Sequence, residues 1–318
     1  MSKVKEILDD LPDEIMKNTA KLSLMADRFG NTFYFGNAGS FWSPPFRIGA
    51  DTDYRTHARS IRDMEIRPDD VMICSYPKTG LHWQQEIINM LMHKADTLST
   101  KIDNNICFLD SLPVHVLSTR ESPRLLVTHM PFKNVPKQAL EKKIKIVYLD
   151  RNPKDVLVSY YNQVHKNKYP VHYPGTFEQF VYLNLEVGFR YGDLFTYLIH
   201  WQDGIDANPD VPIYKSVYED VKLDEKAGVK KLNEFLGTGC SEELCEKIAE
   251  ACNFDRMKPI REANSAEEQN SFKISSYYRK GAVGDWKNWF TEDLNEEFDR
   301  EYKKHMADYR TVYKYTLD

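Results

Sequence analysis

The chain has 318 residues, 42% of them hydrophobic and 29% charged, which is enough apolar material for one large core or two small ones. Lys and Arg total 43 against 48 Asp and Glu, a formal net charge of -5, so broad electrostatic attraction to nucleic acid is disfavoured and any polyanion site must be a local pocket. The segment Met1 to Leu11 carries Lys3, Lys5, Glu6, Asp9 and Asp10 and lacks the apolar run of a signal peptide or membrane anchor, which predicts a cytoplasmic protein with no membrane attachment. Five cysteines (Cys74, Cys107, Cys240, Cys245 and Cys252) form no C-x-x-C pair and no zinc spacing; free buried thiols are expected.

In chain order, Ser2 to Leu24 shows apolar residues at helical spacing, and the aromatic, Gly- and Pro-rich stretch Phe33 to Gly49 reads as irregular structure. Val71 to Cys74 reads as a strand. It leads into the loop Tyr76-Pro77-Lys78-Thr79-Gly80 and then a helical pattern through Trp83, Ile87, Ile88, Leu91 and Met92. Arg124 to Thr128, Ile144 to Leu149 and Val211 to Val217 read as further strands, with a helix starting near Lys154. Strands alternating with helices predict an α/β fold, a mostly parallel sheet flanked by helices, with ligands beyond the carboxyl ends of the strands. The polar stretch Arg261 to Ser276 reads as a solvated loop or a lid.

Three loops and one histidine carry the candidate chemistry. The loop Tyr76 to Gly80 lies between a strand and a helix start, where free N–H groups and the helix dipole favour an anion. It is not a Walker A loop, because Met72 and Pro77 stand where its glycines belong. By itself a Lys-Thr-Gly turn is as readily a structural connector as a phosphate cradle. Arg151-Asn152-Pro153-Lys154-Asp155 also follows a strand and opens a helix that carries Ser159; Arg151 can fork onto a phosphate or into an ordinary ion pair. Arg279-Lys280-Gly281 offers two cations beside a glycine that admits a close ligand, or a solvated charge pair. His129 follows a strand and precedes Pro131, a place for a general base or for a structural imidazole.

These segments together resemble the cytosolic sulfotransferases, from about Arg67 to about Met306. Arg67-Pro68-Asp69-Asp70 through Lys78-Thr79-Gly80 and Trp83 looks like the family's 5′-phosphosulfate loop, and Pro123-Arg124 through Thr128-His129-Met130-Pro131 looks like the segment with its catalytic base. Arg151 through Val156 to Ser159-Tyr160-Tyr161 is similar to its 3′-phosphate segment, and Arg279-Lys280-Gly281 through Gly284-Asp285-Trp286-Lys287 matches its closing run. The resemblance implies a single domain over residues 1–318 with a P-loop-NTPase-like sulfotransferase fold. Residues 1–66 would form an N-terminal extension on the acceptor side and residues 67–318 the catalytic core. It further implies an enzyme that moves a sulfuryl group from 3′-phosphoadenosine 5′-phosphosulfate (PAPS) to a hydroxyl of a small molecule, leaving 3′-phosphoadenosine 5′-phosphate (PAP), with no metal ion.

Carried over by position, Lys78 and His129 are the implied catalytic pair. Lys78, Thr79, Gly80, Leu81 and His82 would hold the phosphosulfate. Arg151, Ser159, Arg279, Lys280 and Gly281 would hold the 3′-phosphate. Trp83 and Phe254 would sandwich adenine, with Tyr218 and Asn253 at its edge. Phe108, His129 and Tyr160 would line the acceptor pocket, while Phe41, Trp42 and Phe46 read as aromatic core or as further lining.

This chain departs from the family where Leu81 and His82 replace two hydroxyl residues, where Val127 replaces a common Lys, and where Cys252 and Asn253 replace a Thr-Ser pair. The family's dimer motif appears with Glu292 in place of Val, which leaves a monomer or a weak homodimer. A nucleotide-binding protein that has lost efficient transfer is the competing reading. A kinase would need a Walker-type loop and magnesium ligands.

Overall fold

In a computed structural model of the chain, residues 22–45, 48, 52–98, 106–167, 171–265 and 278–317 are described. The helical pattern before Leu22, the side chain of Phe46, and the stretch after Ser265 up to Ser276 lie outside them.

The amino-terminal part is not irregular. Leu22–Ala26 (β1), Thr32–Asn37 (β2) and Trp42–Ser43 (β3) form an antiparallel sheet in that order. The Asp27 carboxylate closes the β1–β2 turn by accepting from the backbone N–H groups of Phe29 and Asn31, both at 2.9 Å. Four consecutive β2 residues are buried, so this strand shows no in-out alternation, and pairing with β1 overrides the helical spacing read through Leu24.

The main sheet is parallel throughout. It contains Val71–Ser75 (β4), Ile106–Phe108 (β5), Leu125–Thr128 (β6), Lys145–Asp150 (β7) and Ile213–Val217 (β8), in spatial order β5-β6-β4-β7-β8. Alternate residues of these strands enter two separate cores. Met72, Cys74, Leu126, Ile146 and Tyr148 face one, and Val71, Ile73, Leu125, Val127, Val147 and Leu149 face the other. Helices therefore cover both faces, as a sheet of near-continuous apolar strands requires.

The helices with direct bearing on the site are Leu81–His93 (α1), Pro153–Lys166 (α2), Tyr218–Leu223 (α3), Glu225–Leu236 (α4), Phe254–Ser265 (α5) and Glu292–His305 (α6). Helix α2 begins with Pro153 at its first turn and with Asn152 as cap, its side chain accepting from the Asp155 N–H at 3.1 Å. Arg261 to Ser265, read from the sequence as the start of a loop, instead ends α5. Arg261 is buried and forms an ion pair with Glu86 at 2.5 Å. All five cysteines are buried free thiols. No helix among the described residues is long and apolar enough to cross a membrane.

Candidate active site

Register decides what meets at the end of the sheet. Cys74 is level with Thr128 and Tyr148, and Asp150 is level with Val217. The residues that follow each strand, Tyr76 to Gly80, His129, Arg151 and Tyr218, therefore emerge together along one edge.

The loop after β4 turns through Lys78 at φ 72° and Gly80 at φ 97°. A Cβ on Gly80 would stand 2.7 Å from the Tyr218 ring, so the glycine allows both the backbone conformation and the close approach. The Thr79 hydroxyl donates to the Tyr76 carbonyl at 2.9 Å and holds the turn. No side chain caps α1 at Gly80, so its first N–H groups lack intrahelical partners and point out of the helix start. Leu81 is buried in the core on that side of the sheet and offers the site only its backbone.

Arg151 joins three segments. Its Nη1 donates to the Lys78 carbonyl and its Nη2 to the Ala282 carbonyl, both at 3.1 Å. Its guanidinium lies 4.2 Å from the centre of the Tyr218 ring and 3.9 Å from the Asp155 carboxylate. Its Nε is buried and has no protein partner among the described residues. Asp155 in turn accepts from the backbone N–H groups of Gly284 (2.7 Å) and Trp286 (2.9 Å), which docks the closing run against the start of α2. Arg279 and Lys280 both donate to Asp285. Ser159 is half-buried on the second turn of α2.

The aromatic residues converge on the same edge. Trp83 meets Tyr218 edge-on, with ring centroids 5.4 Å apart, and its Nε1 donates to the Cys252 carbonyl at 2.9 Å. A Cβ on Gly281, which has φ 63°, would stand 2.3 Å from Phe254, so the closing run lies against that ring. Asn253 bonds Glu225 at the start of α4, at 3.2 Å, and its Oδ1 accepts from the Asp255 N–H. Cys252 is fully buried with its sulfur on Met90, so its side chain faces the core.

His129 is half-buried. Its Nδ1 lies 2.9 Å from the Ser75 carbonyl. A carbonyl only accepts, so in the neutral ring Nδ1 carries the hydrogen and Nε2 keeps a lone pair. The backbone N–H donates to Asp110 at 3.0 Å. Asp110 is buried and also accepts from Thr128 and Tyr191 hydroxyls, each at 2.5 Å. Phe108 and Tyr191 stand edge-on to the imidazole at 5.9 and 5.5 Å, and Phe41 stacks on Tyr191 at 5.7 Å. Tyr160 is buried, edge-on to Tyr76 at 6.0 Å.

Lys78 and His129 are half-buried, whereas His82 is exposed. Burial, then the charges of Arg151 and Arg279, pull the Lys78 amine down to about 7. The surrounding protein, then the charges of Lys78, His129 and Arg261, hold the exposed His82 imidazole below its ordinary value. Burial also lowers His129, against opposing contributions from Asp110 and the Ser75 carbonyl. Cations crowd this edge, and an anion would relieve them. Among the described residues, no group of three or more His, Cys, Asp or Glu side chains is placed to hold a metal ion.

Sequence reasoning missed the carboxylates that arrange these cations. Asp155 and Asp285 lay inside the recognised segments, and Asp110 directly followed Phe108-Leu109, but Tyr191 carried no local signal at all.

Comparison with known proteins agrees with this geometry. The sulfotransferase domain model matches residues 68–310. Sulfotransferase 1E1 of Bos taurus is 36% identical over 285 residues, covering 86% of this chain and 93% of that protein. Sulfotransferase 1B1 of Canis lupus familiaris is 34% identical over 262 residues, covering 78% and 87%. Mouse sulfotransferase SULT7A1, solved in complex with PAP, superposes with a TM-score of 0.67 at 26% identity, covering 90% of this chain and 95% of that one. Retinol dehydratase, solved with androsterone and PAP, shares the fold with a TM-score of 0.68 at 20% identity, covering 96% and 97%. With a parallel sheet, an edge lined by Lys and Arg side chains and these relatives over most of its length, the chain belongs to the cytosolic-type sulfotransferase family.

Proposed function

We propose that the protein transfers the sulfuryl group of PAPS to the hydroxyl oxygen of a small acceptor, a phenol, steroid or other alcohol, with Lys78 and His129 as the catalytic pair. The observation that carries this reading is the bridge made by Arg151, which ties the loop after β4 to the closing run while its buried Nε lacks a protein partner. In this reading the 3′-phosphate lies among Arg151, Ser159, Arg279, Lys280 and Gly281. Adenine lies between Trp83 and Phe254, with Tyr218 and Asn253 at its edge. The phosphosulfate runs over Lys78, Thr79, Gly80, Leu81 and His82 toward His129.

The chemistry is an in-line displacement at sulfur. The acceptor oxygen forms a bond to sulfur as the bond from sulfur to the bridging phosphate oxygen breaks, and PAP leaves. The Lys78 ammonium donates to that oxygen as negative charge develops on it. Nε2 of His129 takes the acceptor proton. Its lowered pKa keeps the imidazole in the base form at neutral pH. The rings of Phe108 and Tyr191 against His129, with Tyr160 read as further lining, favour an apolar acceptor body. The stack of Phe41 on Tyr191 supports an acceptor-side role for residues 1–66.

The test is transfer of labelled sulfate from PAPS to a panel of phenols, sterols and aliphatic alcohols, by the wild type and by His129→Ala. Expected are transfer by the wild type and a loss of about 10²–10⁴-fold in kcat for the variant, with PAP binding retained. Transfer that survives in His129→Ala would refute the base. PAP binding with no transfer across the panel would favour a nucleotide-binding protein that has lost turnover.

A further inference from the structure

Asp150 ends β7 and directly precedes Arg151, and its side chain is completely buried. Its carboxylate accepts from the Arg151 N–H at 2.9 Å and pairs with Lys215 at 3.1 Å. The remaining donors come from the far end of the chain: the hydroxyls of Tyr309 (2.6 Å), Thr311 (2.9 Å) and Tyr313 (2.7 Å). These alternate with Arg310 and Val312, which face outward, Val312 being 90% exposed. The strip thus presents one face to Asp150, with the period of two of an extended chain.

The alternation continues to Tyr315, which reaches a second part of the site. Its carbonyl accepts from Trp286 Nε1 at 2.9 Å, and its ring stands edge-on to Trp286 at 6.1 Å. The same ring lies 5.4 Å from the ammonium of Lys154, itself buried and 4.5 Å from the centre of the Trp286 ring. One strip of seven residues therefore touches both segments on which the cations Arg151, Arg279 and Lys280 are mounted.

We propose that the strip Tyr309 to Tyr315 is a positioning element of the 3′-phosphate subsite, holding Arg151 through Asp150 and the closing run through Trp286. The proposal rests on the reading of Arg151 as a 3′-phosphate ligand. Asp150 fixes the Arg151 backbone, and from that backbone the guanidinium spans two carbonyls in different segments. A buried carboxylate stripped of donors moves toward others or toward water, and Arg151 moves with it. The strip also bonds Asp220 of α3, which carries Tyr218, but Trp83, Phe254 and the phosphosulfate positions are mounted on other segments, the loop and helix after β4 and the start of α5.

The experiment measures binding of PAP and of adenosine 5′-monophosphate, which lacks the 3′-phosphate, to the wild type, Thr311→Val, Tyr313→Phe and the double variant Tyr309→Phe/Tyr313→Phe. Each lost bond to the carboxylate is expected to weaken PAP by about tenfold and to leave adenosine 5′-monophosphate within about twofold, so the ratio of the two affinities falls. A role in stability alone would lower the melting temperature and leave that ratio unchanged in protein that remains folded, which overturns the proposal. If the double variant fails to fold, the two single variants decide by the same ratio. A wild type that does not prefer PAP refutes the 3′-phosphate subsite itself and this proposal with it, whereas a preference that the variants keep refutes only the role of the strip.

Discussion

The Lys78 amine sets a pH dependence that can be worked out before any acceptor is known. In the free protein its pKa is pulled from the ordinary 10.5 to about 7 by burial and by Arg151 and Arg279. A bound phosphosulfate or PAP places negative charge beside it and favours the ammonium, so the pKa rises on binding and protons are taken up. At pH 8, about nine-tenths of the free protein carries neutral Lys78, and binding should take up ~0.9 proton; at pH 6 the Lys78 share should be ~0.1. The affinity for PAP should therefore fall as pH rises, by roughly fiftyfold between pH 7 and pH 9. His82 and His129 are both held below the ordinary imidazole range, so in the free protein they are neutral at pH 8. The assay is titration calorimetry of PAP at pH 8 in two buffers of different ionisation enthalpy, with Lys78→Met as control. Equal apparent enthalpies in the two buffers, or proton uptake undiminished in Lys78→Met, would refute the reasoning.

Two further outcomes follow from packing. Arg124 and Asp70 form a doubly bonded ion pair at 2.9 and 2.5 Å, with both side chains buried; Arg124→Met leaves Asp70 uncompensated and should lower stability by about 3–5 kcal/mol in a urea titration, with a cost under 1 kcal/mol counting against the pair. Gly281→Ala adds a Cβ 2.3 Å from the Phe254 ring at a backbone φ of 63°, a strain of about 1–2 kcal/mol before the ring moves; PAP affinity should fall by at least about tenfold, and an unchanged affinity would place Phe254 outside the nucleotide site.

How much was legible in the sequence depended on whether the signal was local. The strands β4, β6, β7 and β8 stood out because each is a short apolar run bounded by turn residues, and the loops after β4 and β7 were found because each begins where such a run ends. Strand β5 has only three residues, too few for a pattern. Strand β2 has four consecutive buried positions, so the alternation that marks a half-exposed strand is absent, and its aromatic residues read as irregular. Arg261 reads as polar surface, yet it is buried because Glu86, on another helix, compensates its charge. The partners of the site cations were hidden for the same reason. Arg151 meets Ala282 across 131 residues, Asp110 meets Tyr191 across 81, and Asp150 meets Tyr313 across 163, and single-sequence patterns contain no term for pairings of that range.

Those hidden carboxylates explain how a chain of net charge -5 keeps cations together without first binding an anion. Lys78, lowered first by burial, is lowered further by the neighbouring charges of Arg151 and Arg279, so these cations repel one another. Asp285 opposes that repulsion where Arg279 and Lys280 meet. Burial alone would raise its pKa, but the bonds from Lys280, Arg279 and Asn288 outweigh burial and hold it at about 2. The carboxylate does not consume the donors it collects. Arg279 has five N–H groups and Lys280 three, so one bond each to Asp285 leaves most of them for a phosphate. Asp155 acts differently, gripping the backbone of the closing run at Gly284 and Trp286 and so setting where Arg279 and Lys280 stand relative to Arg151. One carboxylate fixes the segment and the other its cations, so under the proposed function a 3′-phosphate would meet donors already in place and lose less of its affinity to ordering them.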